Sequence, residues 1–138
     1  MKLPAALFAA ALLSGCQTPH QFATPDKTWQ THIGQLKYSD GQRTLIGDVV
    51  VQQRETTDFQ LEFQKTGGFP LLTLRADATT ARAEGLLARG SWQGAPSAAP
   101  KHLRGWVGLR EALQKPAGPV RTVDFPADEQ HFVFQFQR

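Results

Sequence analysis

The segment Phe59-Gln60-Leu61-Glu62-Phe63-Gln64 alternates strictly between apolar and polar side chains. Successive side chains of an extended chain point to opposite faces, so Phe59, Leu61 and Phe63 share one face while the polar residues take the other. A strand with one greasy and one wet face belongs to an antiparallel sheet; strands of a parallel sheet are buried on both sides. The period of two recurs on either side of it. Upstream, Leu36 and Tyr38 alternate with Gln35 and Lys37, and Asp40-Gly41 marks a hairpin. The chain returns over 43–54 as a long strand with Leu45, Val49 and Val51 on one face, where Gly47 marks a bulge or a bend. Downstream, Lys65-Thr66-Gly67-Gly68-Phe69-Pro70 breaks the pattern, and Leu72 and Leu74 resume it over 71–76. Residues 81–93 read as one or two further strands, weakened by Gly85 and Gly90 and ending near Trp92. Strands over 120–125 and 131–137 close the chain, the last with Phe132, Phe134 and Phe136 in alternation.

One segment changes period. After Gly94-Ala95-Pro96-Ser97-Ala98-Ala99-Pro100, residues 101–114 place Leu103, Trp106, Val107, Arg110 and Leu113 on one helical stripe, widened by Leu109 and Ala112. Pro100 suits a helix start, and Pro116, Gly118 and Pro119 end it. Gly105 and Gly108 interrupt it, either to pack closely on a sheet or to let the helix bend. The expectation is a mainly β (α+β) fold. It is a curved antiparallel sheet of about seven strands, an incomplete barrel lidded by one amphipathic helix, because an apolar sheet face must close on itself or accept a cover.

The N-terminus has a different character. Lys2 precedes the apolar run of residues 3–13, and Leu13-Ser14-Gly15 leads into Cys16, the single cysteine. A positive head, an apolar run of this length and small residues before a cleavage point describe an export signal. The run is too short to span a bilayer, which takes roughly 20 residues. Leu-Ser-Gly-Cys is similar to the bacterial lipobox, which implies cleavage before Cys16, a diacylglycerol on its thiol and anchorage through that lipid. A conventional secretory signal, or a buried free cysteine, is the plainer alternative. With Gln17 next, and no aspartate there, the lipobox resemblance points to the outer membrane, periplasmic face. Expected boundaries are 1–15 for the signal, 16–28 for the lipidated cysteine and a tether, and 29–138 for one folded domain.

Composition narrows the function. A formal net charge of +3, without a Lys/Arg run, gives no nucleic-acid footprint. His20, His32, His102 and His131 are scattered and none has metal-ligand spacing, so neither a metal nor another cofactor is expected. Gly90-Ser91-Trp92-Gln93-Gly94 has the serine directly after the first glycine, unlike a nucleophile elbow. No catalytic residue is assigned, and the expectation is a monomeric non-enzyme.

With the lipobox at Cys16, the hairpin opening at Ile33-Gly34-Gln35-Leu36, the Gly/Pro/apolar turn near residue 69 and Leu103-Arg104-Gly105-Trp106-Val107-Gly108-Leu109, the chain resembles the LolB-type lipoprotein receptors. These motifs run through most of residues 16–113, and the chain is a short form with its C-terminal region reduced to about one hairpin. The resemblance implies an unclosed barrel with a helical lid over an apolar cavity for acyl chains of lipoproteins, received from a periplasmic LolA-like carrier. Its lining would be Leu36, Tyr38, Val49, Val51, Phe59, Leu61, Phe63, Leu72, Leu74, Leu103, Trp106, Phe132, Phe134 and Phe136. Phe69, with Leu71 in reserve, would be the apolar residue on the turn that inserts into the membrane.

Two alternatives stand beside that reading. The inward residues equally describe a solid core, and the protein would then be a structural or protein-binding envelope lipoprotein acting through its surface. Phe69 equally describes a plug folded back on the barrel end.

Overall fold

A computed structural model describes residues 20–55, 57–114 and 121–137; the signal over 1–15, Cys16 and the tether as far as residue 19 lie outside the described residues. The strands are β1 (Gln30–Ser39), β2 (Thr44–Arg54), β3 (Asp58–Lys65), β4 (Phe69–Ala76), β5 (Ala81–Gly85) and β6 (Gly90–Gly94). Helix α1 (Lys101–Ala112) follows, then β7 (Arg121–Ala127) and β8 (Gln130–Phe136). All pairs are antiparallel, in the order β6-β5-β4-β3-β2-β1-β8-β7. Strands β6 and β7 are the free edges, so the barrel is incomplete, and α1 is the connection that joins one edge to the other.

Eight strands form where about seven were expected. The difference lies in residues 81–93, where a 3-10 turn over Leu86–Ala88 separates β5 from β6. Gly85 and Gly90 flank it at φ 116° and 111°, values that a side chain would strain. These glycines punctuate a hairpin and do not weaken a single strand.

Gly47 answers the other sequence expectation. The pairing of β2 with β1 and with β3 is continuous through it, so it is not a bulge. A Cβ there would overlap the Gln64 carbonyl oxygen and lie 3.0 Å from the Phe63 ring, so the missing side chain is what lets β3 close on β2. The bulge sits on β4: Phe63 pairs with Leu72 but Gln64 with Pro70, leaving Leu71 as the extra residue.

The hairpin turns β1–β2, β3–β4, β5–β6 and β7–β8 cluster at one end, here called the tip. Turns β2–β3 and β4–β5, and the entry to β1, lie at the other end, the root. Helix α1 starts at the tip beside β8 and ends at the root, where Leu113 C=O accepts from Gln53 Nε2 (3.3 Å). Its buried face is Leu103, Gly105, Trp106, Val107 and Leu109, with Leu113 following. Arg110, expected on that stripe, instead reaches out to the Thr57 carbonyl (3.3 Å), where a guanidinium keeps polar company.

Candidate functional site

The interior residues named from the sequence converge on one cluster between sheet and helix. Leu36, Val49, Val51, Leu61, Phe63, Leu74, Leu103, Trp106, Phe132 and Phe134 are all 0% exposed, and Tyr38, Phe59, Leu72 and Phe136 are buried beside them. Zero exposure means that no water-sized sphere touches these side chains, either from outside or from an internal void. The rings interdigitate: Trp106 lies 4.8 Å from both Tyr38 and Phe132 and 5.7 Å from Phe63, centroid to centroid. At rest these residues line one another, and no space that would admit a water is left against them.

Within this apolar mass sits one polar node. Gln130, 7% exposed, donates through Nε2 to the Tyr38 hydroxyl (3.0 Å) and to the His102 carbonyl (2.9 Å). Its Oε1 accepts from Gly105 N–H (2.9 Å). One amide thereby ties the first turns of α1 to β8 and β1, and every hydrogen-bonding group it buries on itself is used except one lone pair. Gly105 makes the node possible, because a Cβ at that position would overlap Gln130 Oε1 and come within 2.8 Å of the Phe132 ring. Of the two sequence readings of Gly105, close packing is the one observed. Burial pushes the Tyr38 phenol up from its ordinary pKa, and the hydroxyl also leans toward Asp40 Oδ2 (3.4 Å).

Sequence reasoning overlooked Gln130 by assigning it to a turn. The signal was present: it stands two residues before Phe132, in the inward register of β8, and a glutamine at an inward position needs partners. Beside the node a cavity of about 290 Å³ opens at the tip, with Tyr38, Asp40, Arg89, Lys101, His102 and Gln130 among its walls. Further pockets of about 720 Å³ at the root and 270 Å³ on the outer sheet face are also lined by polar and charged groups, among them Arg54, Asp58, Arg75 and Glu84.

Among the described residues, the tip carries two of the four exposed large apolar groups; the other two, Ile33 and Ile46, lie on the outer face of the sheet. Phe69 is 58% exposed beside Gly67 and Gly68, so it projects and does not plug the barrel. Leu71, paired with it in the sequence reading, is corrected: it is 3% exposed and belongs to the core. The β4 bulge is the reason, because one extra residue reverses the alternation and turns both Leu71 and Leu72 inward. Leu86, which sequence reasoning passed over, is also 58% exposed, on the neighbouring β5–β6 turn. Lys65 pairs with Phe69 across the first turn, and Arg89 follows Leu86 on the second. Among the described residues, no group of three or more His, Cys, Asp or Glu side chains is placed to hold a metal. No helix among them is long and apolar enough to cross a membrane. Neither a protein-family model nor a curated protein sequence matches this chain.

Proposed function

We propose that this chain is a lipid-anchored, non-catalytic periplasmic protein of the outer membrane. In this reading it receives acyl chains or lipidated proteins from a LolA-like carrier in a site that forms only when α1 moves off the sheet. The observation that carries the reading is the build of the interior. A continuous apolar face on an unclosed sheet is covered by a single helix, which one polar node holds at its start.

Magnitudes support an exchange. Five α1-side residues, Leu103, Trp106, Val107, Leu109 and Leu113, are buried against the sheet. At about 1.5–3 kcal/mol each, uncovering them costs about 7–15 kcal/mol. An acyl chain of about fourteen methylenes contributes about 11 kcal/mol at ~0.8 kcal/mol per methylene. The two ranges overlap, so hydrogen bonds worth about 1 kcal/mol each weigh on whether the lid stays down, those of the Gln130 node at one end of α1 and those of Gln53 to Leu113 C=O and Arg110 to Thr57 C=O at the other.

The filled interior favours a second reading, a structural or protein-binding envelope lipoprotein that works through its tip and outer face. Native mass spectrometry with lipid extraction separates the two. Fatty acid that copurifies or is taken up, and increases on Gln130→Ala, supports the receptor reading. A chain that stays empty in both forms with acyl chains supplied sinks it in favour of the second.

A further inference from the structure

The tether expected over 16–28 meets the barrel at the two ends of its described part, at His20 and next to Trp29, while most of the residues between are exposed. His20 Nε2 meets Asp77 Oδ2 at 2.5 Å on the β4–β5 turn, and Phe22 packs edge-on against the His20 ring (4.6 Å). Asp77 is itself held by its turn, accepting from the backbone N–H groups of Thr79 and Thr80 (3.0 Å each). At the other end Trp29 is buried, its backbone N–H donating to Asp26 C=O (3.1 Å) and its ring 5.7 Å beneath the Arg54 guanidinium. Residues 20–28 thus cross the root end from the β4–β5 turn to the start of β1.

We infer that residues 20–28 are a strap that sets which end of the barrel meets the bilayer: docked, it holds the root down and the Phe69–Leu86 tip away, and released, it lets the tip reach the membrane. The inference rests on the lipid anchor at Cys16 proposed above. Chain lengths decide it. His20 is four positions after Cys16, a reach of at most about 14 Å at ~3.6 Å per residue. Strand β4 alone puts Phe69 roughly 25 Å from the β4–β5 turn. Freed back to Trp29, the thirteen residues from Cys16 extend to about 45 Å, enough to invert the domain. Lying flat is the competing pose, because Ile33 and Ile46 are exposed on the outer face with Val50 and Val133 in the same register. Those groups stand among Gln35, Asp48, Gln60, Gln64 and Arg75, whose burial against lipid is unfavourable.

The lipidated full chain, reconstituted in phosphatidylcholine vesicles containing nitroxide-labelled lipid, tests this. A bimane label is placed by Gln42→Cys at the tip or Ala78→Cys at the root; lipidation occupies the Cys16 thiol, so the new cysteine alone reacts. With the strap intact, the label at 78 loses most of its emission and the label at 42 keeps most. His20→Ala, which alters no strand, makes the label at 42 lose emission as well. Equal quenching of both labels with His20 in place, or an unchanged label at 42 in His20→Ala, overturns the strap. Failure of the anchor reading shows separately, as an intact mass lacking the diacylglyceryl addition and as a protein that does not float with the vesicles.

Discussion

Gly105→Ala and Gly108→Ala are the same chemical change three residues apart on one helix, and the structure assigns them opposite signs. In a solvated helix each would gain about 1 kcal/mol of propensity. At Gly108 the new methyl meets the Phe125 ring at 3.4 Å, an ordinary contact, so the gain is kept. At Gly105 it overlaps Gln130 Oε1 and presses on Phe132, which is 0% exposed and has nowhere to go. The amide must move, and with it go the bonds to Gly105 N–H, His102 C=O and Tyr38 OH. Three buried hydrogen bonds at about 1 kcal/mol each, less the propensity gain, leave a net loss of about 2 kcal/mol. At about 4 °C per kcal/mol, Gly105→Ala lowers Tm by about 8 °C while Gly108→Ala raises it by about 4 °C. Thermal unfolding followed by circular dichroism, on the chain without residues 1–15 and with Cys16→Ala, measures both. If Gly105→Ala stabilises as much as Gly108→Ala, Gln130 does not latch the helix and the argument fails.

Four further substitutions probe the strands and the β4–β5 turn. Phe69→Ser leaves stability within about 0.5 kcal/mol, as expected for an exposed turn residue. Leu71→Ser, two positions on, costs about 3 kcal/mol, because it empties a core position and buries a hydroxyl; urea unfolding of the pair checks whether the bulge is where β4 places it. Leu61→Ala, at a fully buried site, costs about 3 kcal/mol in the same assay. Burial alone would raise the Asp77 carboxyl, but the hydrogen bond from His20 and those from the Thr79 and Thr80 N–H groups outweigh it, and its pKa is lowered. Stability from Asp77 is therefore fully present above the ordinary carboxylate pKa of about 4 and is lost as pH falls through the depressed native value. Asp77→Asn flattens that part of the pH–stability curve, and an acid limb unchanged by the substitution would remove Asp77 from the account.

Much of the fold was legible because a sheet advertises itself locally. The alternation at Phe59-Leu61-Phe63 and at Phe132-Phe134-Phe136 needs no partner to be read, and both triplets are buried. The helical stripe of Leu103, Trp106, Val107 and Leu113 was equally plain. The errors fell where one residue changes the count. Leu71 looked like an exposed neighbour of Phe69 until the pairing of Gln64 with Pro70 reversed its face. Arg110 shared the stripe by spacing but could not share its burial. Gln130 was hidden in an apparent turn although its register was inward.

The sequence by itself determined which residues are greasy, in what period, and therefore that an antiparallel sheet would be covered by one helix. Local period and turn chemistry are properties of neighbouring residues, and these survive without a tertiary structure. Only the tertiary structure decided that the interior closes on itself, that Gln130 latches α1 through Gly105, and that His20 reaches Asp77 across 57 positions of chain. Each depends on distances between residues far apart in sequence, and a spacing rule carries no information about those.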